Sequence, residues 1–416
     1  MKRIICPSTI HGVIRAPSSK SMMQRYIVAA LLAEGDTWIK NPSLCDDTLT
    51  ALGIAEQLGA TVSMEQEVVR ISGGFNPKEE VLNCGESGLG IRMFSAVAAL
   101  HHSPLILTGM GSLESRPVGM IEQPLAELGV ECETTSGCIP VSVKGPLRGG
   151  KARIDGSTTS QFLTGLLMSL PVVHTNSELL IRNLKSKPYI DVTLKVLQDV
   201  GIEVENQAYK RFLVKGNQQY KAGEYEVEGD WSGAAFLLTA GALNGRVQVT
   251  GIQPDSLQAD RRILTALEMA GAKVKVFDET VEVIAGDLKP FWFDATECPD
   301  LIPPLVALAV HCRGVTVITG TSRLKSKESN RALVLQNNFA NLNVRIELEN
   351  DQMIIHGGRV EAGSIHASND HRIVMAAAIA GIKANGEIKI TGSDCVSKSY
   401  PHFFDDYLKM GGITNE

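Results

Sequence analysis

The sequence is short of the features that mark many cofactor-binding, secreted and membrane proteins. Aromatic residues make up only 5% of its 416 residues. Apolar runs are brief: Ile27–Ala33 and Leu301–Val310 fall well below the ~20 residues of a membrane span. The 8 cysteines are scattered and form no C-x-x-C pair, so neither a zinc site nor a disulfide framework is indicated. Positive charge is not in excess. The 40 Lys and Arg against 46 Asp and Glu leave a formal net charge of −6, which argues against general affinity for nucleic acid or anionic membrane. The first residues lack the long apolar core of a signal peptide. The 9 histidines show no ligand spacing. There is also no G-x-x-x-x-G-K-S/T, G-x-G-x-x-G after a strand, H-E-x-x-H or G-x-S-x-G. Nucleotide, metal and flavin chemistry are therefore disfavoured. The expectation is a cytoplasmic protein with no metal and no cofactor.

What is present is a repeat. A signature of a small or apolar residue, Gly and an alternating run appears at Leu58-Gly59-Ala60, Leu128-Gly129-Val130, Val200-Gly201-Ile202 and Ala270-Gly271-Ala272. It is weaker at Ala340-Asn341-Leu342 and truncated at Met410-Gly411-Gly412. The second residues are spaced by 70, 72, 70, 70 and 70 positions. Strand-like runs closing at Asn41, Gly109, Asn183, Gly251, Gly320 and Gly392 keep the same phase. Such periodicity marks repeated supersecondary units.

Each unit reads as a helix apolar on most faces, a strand, a more amphipathic helix ending at Gly, and a hairpin. The apolar helices are expected at Met22–Ala33, Met93–Leu100, Phe162–Leu170, Ala234–Leu243, Leu305–Val310 and Ile373–Ile382. Asp47–Leu58 and Asp191–Val200 exemplify the second helix. Six α/β units exceed one core, so two lobes of three are expected. Their boundary falls near Glu226–Gly229. The first residues, to about Ala16, begin with a strand that has no helix of its own and is expected to complete the other lobe. The lobes are thus 17–228 and 1–16 plus 229–416.

Polar clusters precede the apolar helices: Ser18-Ser19-Lys20-Ser21, Gly85-Glu86-Ser87-Gly88, Ser157-Thr158-Thr159-Ser160-Gln161, Asp230-Trp231-Ser232, Pro299-Asp300 and Asn369-Asp370-His371-Arg372. Ser, Thr and Asp there are ordinary caps. Cations are not, because a helix start is already positive. Lys20 with Arg25, Arg92 and Arg372 are expected to bear that cost in their first turns, and a bound anion would offset it. Arg116, Lys327, Arg331 and Lys398 add cations in loops of matching phase, where a solvated surface role is the plain alternative. Pooled over the repeat, they point to a convergent site for polyanions.

Taken together, Pro17-Ser18-Ser19-Lys20-Ser21 with Arg25, Gly88 with Arg92, Arg116-Pro117, Ser160-Gln161-Phe162-Leu163, Ser186-Lys187-Pro188-Tyr189, Asp300, Lys327-Glu328 with Arg331, Asn369-Asp370-His371-Arg372 and Lys398 closely resemble the 3-phosphoshikimate 1-carboxyvinyltransferase (EPSP synthase) family over essentially the whole chain. The resemblance implies an α/β fold of two similar domains, each of three βαβαββ repeats around buried helices, an inside-out α/β barrel with the active site in the cleft between the lobes. It implies transfer of the carboxyvinyl group of phosphoenolpyruvate to shikimate 3-phosphate by addition and elimination, in a transferase of the shikimate pathway of aromatic amino-acid biosynthesis, expected to be a monomer.

By the same resemblance, shikimate 3-phosphate meets Lys20, Ser21, Arg25, Thr159, Ser160, Gln161, Ser186, Asp300 and Lys327. Phosphoenolpyruvate meets Lys20, Gly88, Arg116, Gln161, Arg331, Arg372 and Lys398. Asp300, Glu328 and Lys20 are the candidates for moving protons. Asp300 as a mere helix cap and Glu328 as a mere partner of Lys327 or Arg331 stay open. The sequence departs from the family pattern at Glu86, where Asn is usual, at Leu89, where Thr is common, and at Thr159, where Ser is common. A carboxylate at Glu86 is expected to weaken phosphoenolpyruvate binding unless a cation neutralises it. Rival readings are the sister transferase acting on a UDP-amino sugar, whose hallmark Cys is missing from Thr108–Arg116, and a non-catalytic six-repeat binding protein.

Overall fold

The computed structural model describes residues 1–65 and 67–415. The chain divides into two compact units: Ser18–Val227, and Met1–Pro17 with Glu228–Glu416. The polypeptide therefore passes between them twice.

Six four-stranded sheets carry the repeat among the described residues. In each, one edge strand runs parallel to its neighbour, and the remaining neighbours are antiparallel. Gly150–Asp155, Ser177–Arg182, Arg211–Val214 and Val204–Gln207 are one example. Three sheets borrow strands from distant sequence. In the Ser18–Val227 unit, the closing segment Glu224–Glu226 lies parallel to Asp36–Lys40. In the other unit, Ile10–Arg15 lies parallel to Gly245–Thr250. There too, Lys2–Cys6 pairs with Asn385–Thr391 on one side and with Ile413–Asn415 on the other. The N-terminal stretch is thus two strands, not one. The sixth repeat, whose signature is truncated in sequence, has its hairpin completed by the start of the chain.

The apolar helices are Lys20–Leu32, Gly88–Ala98 and Gln161–Ser169 in one unit, and Trp231–Asn244, Ile302–Ala309 and His371–Gly381 in the other. All six begin before the apolar run suggested, because the run marks where a helix becomes continuously apolar rather than where its first turn is laid down. Ile302–Ala309 and His371–Gly381 are buried along their whole length. Each large apolar side chain removed from water contributes ~1.5–3 kcal/mol, which is what makes a helix without a solvent face stable. Gly165 lets two of them touch: a Cβ there would stand 2.8 Å from the Met93 carbonyl oxygen. Pro303 and Pro304 fall in the first turn of their helix, where no backbone donor is lost.

The second helices include Asp46–Gln57 and Lys187–Asp199. The residue past them is left-handed, as at Gly129 (φ 81°) and Gly201 (φ 80°). In the fifth repeat the left-handed residue is Asn343 (φ 61°), two positions beyond the Asn341 that the spacing picks out. No described helix is long and apolar enough to cross a membrane.

Candidate active site

Helix starts in both units collect the site residues, and the capping question has a residue-by-residue answer. Ser19, Ser87, Asp230, Asn330 and Asp370 accept from backbone N–H groups of their own first turns. Ser160 and Ser186 occupy the same kind of position but make no side-chain cap. Ser186 is also left-handed, at φ 56° and ψ 47°. Asp300 is not a cap either: it sits inside the 3-10 turn Pro299–Leu301, preceded by Cys298 at the N-cap. Lys20 and Arg372 are first-turn residues, as the sequence suggested. Arg25 and Arg92 are not. They lie five and four residues after the starts of their helices, one turn deeper, so the helix dipole does not tax them.

In the Ser18–Val227 unit, Lys20 Nζ meets Asp47 Oδ2 at 2.7 Å. Gln24 Nε2 donates to the Asp47 carbonyl (3.0 Å) and to Ser87 Oγ (3.1 Å), tying the first helix to the start of the second apolar helix. Arg25 is 1% exposed. Its donors go to Thr193 Oγ1 (2.9 Å), Thr164 Oγ1 (3.4 Å) and the carbonyls of Ser21 (2.6 Å) and Tyr189 (3.1 Å). These acceptors are all neutral. Burial accordingly pulls its pKa down to about 10, only partly opposed by Tyr189. Tyr189 N–H donates to the Ser186 carbonyl at 3.2 Å, so Arg25 and Ser186 share one local framework.

The same unit builds a second group. Arg92 donates to the Gly88 carbonyl (3.0 Å), Gln161 Oε1 (2.8 Å) and the Pro117 carbonyl (2.7 Å). The Arg116 guanidinium lies against Gly88, so closely that a Cβ on Gly88 would come within 2.3 Å of Nη2. Gln161 starts its helix with its N–H on Thr159 Oγ1 at 3.2 Å. Gly88, Arg92, Arg116 and Gln161 are therefore one cluster, reinforced by the backbone of Pro117.

In the unit of Met1–Pro17 and Glu228–Glu416, the set is organised by carboxylates. Asp300 Oδ1 accepts from Lys327 Nζ and Arg331 Nη1, both at 3.1 Å, and its Oδ2 lies 3.4 Å from Arg372 Nη2. Burial would raise its pKa, but Arg372, Lys327 and Arg331 outweigh it and hold the carboxyl well below the usual range. Lys327 is pulled down, by burial first and with Asp300 opposing. Arg331 is fully buried, grips Asp370 through Nε (2.9 Å) and Nη2 (3.1 Å), and also contacts Glu328. Burial alone would lower its pKa, and Asp370, Glu328 and Asp300 instead hold it above the ordinary guanidinium value. Arg372 donates to Ser232 Oγ at 3.0 Å, and Lys398 Nζ to the Asn369 carbonyl at 2.8 Å. Asp260, 4% exposed, is raised to about 7 by burial and then by Asp300, with Arg372 opposing.

Asp300, Lys327, Glu328, Arg331 and Arg372 are thus brought together directly, and Lys398 is joined to the residue beside Asp370. Sequence reasoning overlooked Asp47 and Asp260. Acidic residues at helix starts are commonplace, so their spacing carried no signal. Among the described residues no group of three His, Cys, Asp or Glu could share a metal ion. A cavity of about 940 Å³ on the third repeat lies away from these clusters, and its cations Lys151 and Lys215 are paired with Glu178 and Glu203.

The sequence profile of EPSP synthase (3-phosphoshikimate 1-carboxyvinyltransferase) matches residues 5–407. A 3-phosphoshikimate 1-carboxyvinyltransferase of Clostridium perfringens is 34% identical over 421 residues, covering 100% of this chain and 99% of that protein. One of Methanococcoides burtonii is 36% identical, with 99% and 98% covered. In three dimensions an EPSP synthase of Acinetobacter baumannii superposes with a TM-score of 0.83 at 23% identity over 100% of both chains. An enolpyruvyl transferase of Streptomyces tendae does so at 0.79 and 17%, over 100% of this chain and 98% of that one. These two likenesses establish the fold, the inside-out α/β architecture of two similar domains. With a match spanning nearly every residue, the chain belongs to the EPSP synthase family.

Proposed function

We propose that this protein transfers the enolpyruvyl group of phosphoenolpyruvate to a hydroxyl of shikimate 3-phosphate and releases inorganic phosphate. The observation that carries this reading is Asp300: an ionised carboxylate gripped by Lys327, Arg331 and Arg372, beside Glu328. Both substrates are small polyanions, and a site rich in fixed cations suits them.

Arg25 and Ser21 are assigned to the shikimate ring and carboxylate, with Thr159, Ser160 and Ser186 on its phosphate and Lys327 and Asp300 on its hydroxyls. The support is specific. Arg25 is buried among neutral oxygens with its charge unmatched, Ser186 shares its framework through Tyr189, and Ser160 is not spent on capping. Phosphoenolpyruvate is assigned to Lys20, Gly88, Arg116, Gln161, Arg331, Arg372 and Lys398.

In the addition step the attacking hydroxyl gives its proton to Asp300 while the substrate methylene gains one from Glu328 or Lys20. In the elimination step the bond to phosphate breaks, the departing oxygen takes up the proton that Asp300 holds, and the methyl group returns its proton to Glu328 or Lys20, regenerating the vinyl group and both carriers. Asp300 alone is a weak base, because three cations stabilise its charge. Substrate anions that draw Lys327, Arg331 and Arg372 onto themselves raise its proton affinity at the moment it is needed. The same cations then stabilise charge on the leaving phosphate. The reading includes a cytoplasmic monomer, which the eight unpaired thiols suit.

Phosphate release from phosphoenolpyruvate is the test. Release is expected only with shikimate 3-phosphate present. Release driven instead by a UDP-amino sugar would move the assignment to the sister transferase.

A further inference from the structure

The Glu86 carboxylate is the clearest departure from the family pattern, and at first sight it is misplaced beside a site for anions. The structure gives it an occupation. Glu86 is half-buried, and its Oε2 accepts from the backbone N–H of Ser112 at 2.9 Å. Ser112 belongs to the 3-10 turn Gly111–Ser115, and the next residue is Arg116, whose N–H closes that turn on the Leu113 carbonyl at 3.1 Å. Gly111 is left-handed (φ 58°), and a side chain there would collide with the carboxyl group: its Cβ would lie 2.6 Å from Glu86 Cδ. Two further ties join the same segments. Met110 N–H donates to the Gly85 carbonyl at 2.8 Å, and Leu113 is fully buried. At the far end, Arg116 rests on Gly88 and Arg92 holds the Pro117 carbonyl.

We infer that Glu86 is a positioning residue: it clamps the turn 111–115 and so fixes the Arg116 guanidinium in the place from which it receives phosphoenolpyruvate. The negative charge is spent on an unpaired N–H group at the start of a helical turn, where a carboxylate is favourable, rather than on repelling substrate. The usual amide at this position is a weaker acceptor for that N–H group, since hydrogen bonds to charged groups are the stronger ones. This inference rests on the functional reading above for the identity of the ligand, but the clamp itself does not.

The test compares Glu86→Ala with Glu86→Gln, which keeps an acceptor and removes the charge. In Glu86→Ala the KM for phosphoenolpyruvate is expected to rise roughly tenfold, from the loss of one charge-assisted hydrogen bond. Its kcat and its KM for shikimate 3-phosphate stay within about twofold, because neither depends on where Arg116 rests before phosphoenolpyruvate arrives. Glu86→Gln lies between Glu86→Ala and the wild type. Amide hydrogen exchange over 107–118 speeds up in Glu86→Ala without substrate. Gly111→Ala, which displaces the carboxyl group, shifts KM and exchange the same way and serves should Glu86→Ala fold poorly. A KM for phosphoenolpyruvate that stays put or falls in Glu86→Ala, or exchange over 107–118 matching the wild type, overturns the inference. Were the wild type itself inert on the two substrates, the functional reading would fall and the exchange experiment would still decide the clamp.

Discussion

The two units place arginines at comparable depths but partner them in opposite ways. Arg25, in the Ser18–Val227 unit, is buried among hydroxyls and carbonyls, and burial draws its pKa down to about 10. Arg331, in the other unit, is buried against three carboxylates, Asp370, Glu328 and Asp300, and its charge is held more firmly than in water. A guanidinium matched by neutral dipoles still presents a net positive field and waits for an anion. One matched by carboxylates is also tied into the scaffold and sets the protonation of its neighbours, whatever anion it meets besides. On the proposed reading the first arrangement serves binding alone, whereas the second also sets the protonation of the carboxylates around it, although both are buried arginines.

That contrast can be broken most severely at Arg331. Arg331→Met leaves Asp370 and its companions without their cation, and the expected loss of stability is about 3–5 kcal/mol, read by urea denaturation. A change under ~1 kcal/mol would place Arg331 outside the scaffold. Next comes Arg372→Ala, which removes a cation from Asp300 and, on the proposed reading, from the leaving phosphate: kcat/KM should fall by about 10²–10³ with the fold intact by circular dichroism. Arg25→Met sharpens the other side. The KM for shikimate 3-phosphate should rise about thirtyfold, as expected for a charge-assisted contact, while thermal stability changes far less than in Arg331→Met.

The smallest effect concerns Asp260. Its raised pKa of about 7 means the folded state holds a proton that the unfolded state gives up near the usual 3.8. Stability therefore rises as pH falls from 7 toward 4, the reverse of the contribution from Asp300, which is lost on acidification. Asp260→Asn should flatten that rise in denaturation curves taken across the same range. An unchanged slope would show that burial and Asp300 do not raise Asp260 as described.

Much of this was written in the sequence because repetition makes weak signals add. One Gly after one helix says little, whereas five in phase, with Asn341 at the remaining position, define the units and the places where helix starts gather. Three features stayed hidden for physical reasons. The start of the chain was expected to complete the other lobe, but not as two strands, Lys2–Cys6 and Ile10–Arg15, and neither their partners nor that of Glu224–Glu226 could be named, because a local pattern cannot identify a distant neighbour. The depth of Arg25 and Arg92 was misjudged because apolar runs mark where a helix becomes buried, not where it starts. Asp47 and Asp260 look like ordinary first-turn acids, and only their contacts with Lys20 and the Asp300 cluster single them out.

The division of labour between the two arginine environments is tested most directly by single-turnover phosphate release at saturating shikimate 3-phosphate, with Arg25→Met and Asp300→Asn side by side. Arg25→Met should release phosphate within about threefold of the wild-type rate, since only binding is impaired, while Asp300→Asn should be slower by about 10²–10⁴ because a general base is gone. Equal losses in the two variants, or a greater loss in Arg25→Met, would contradict it.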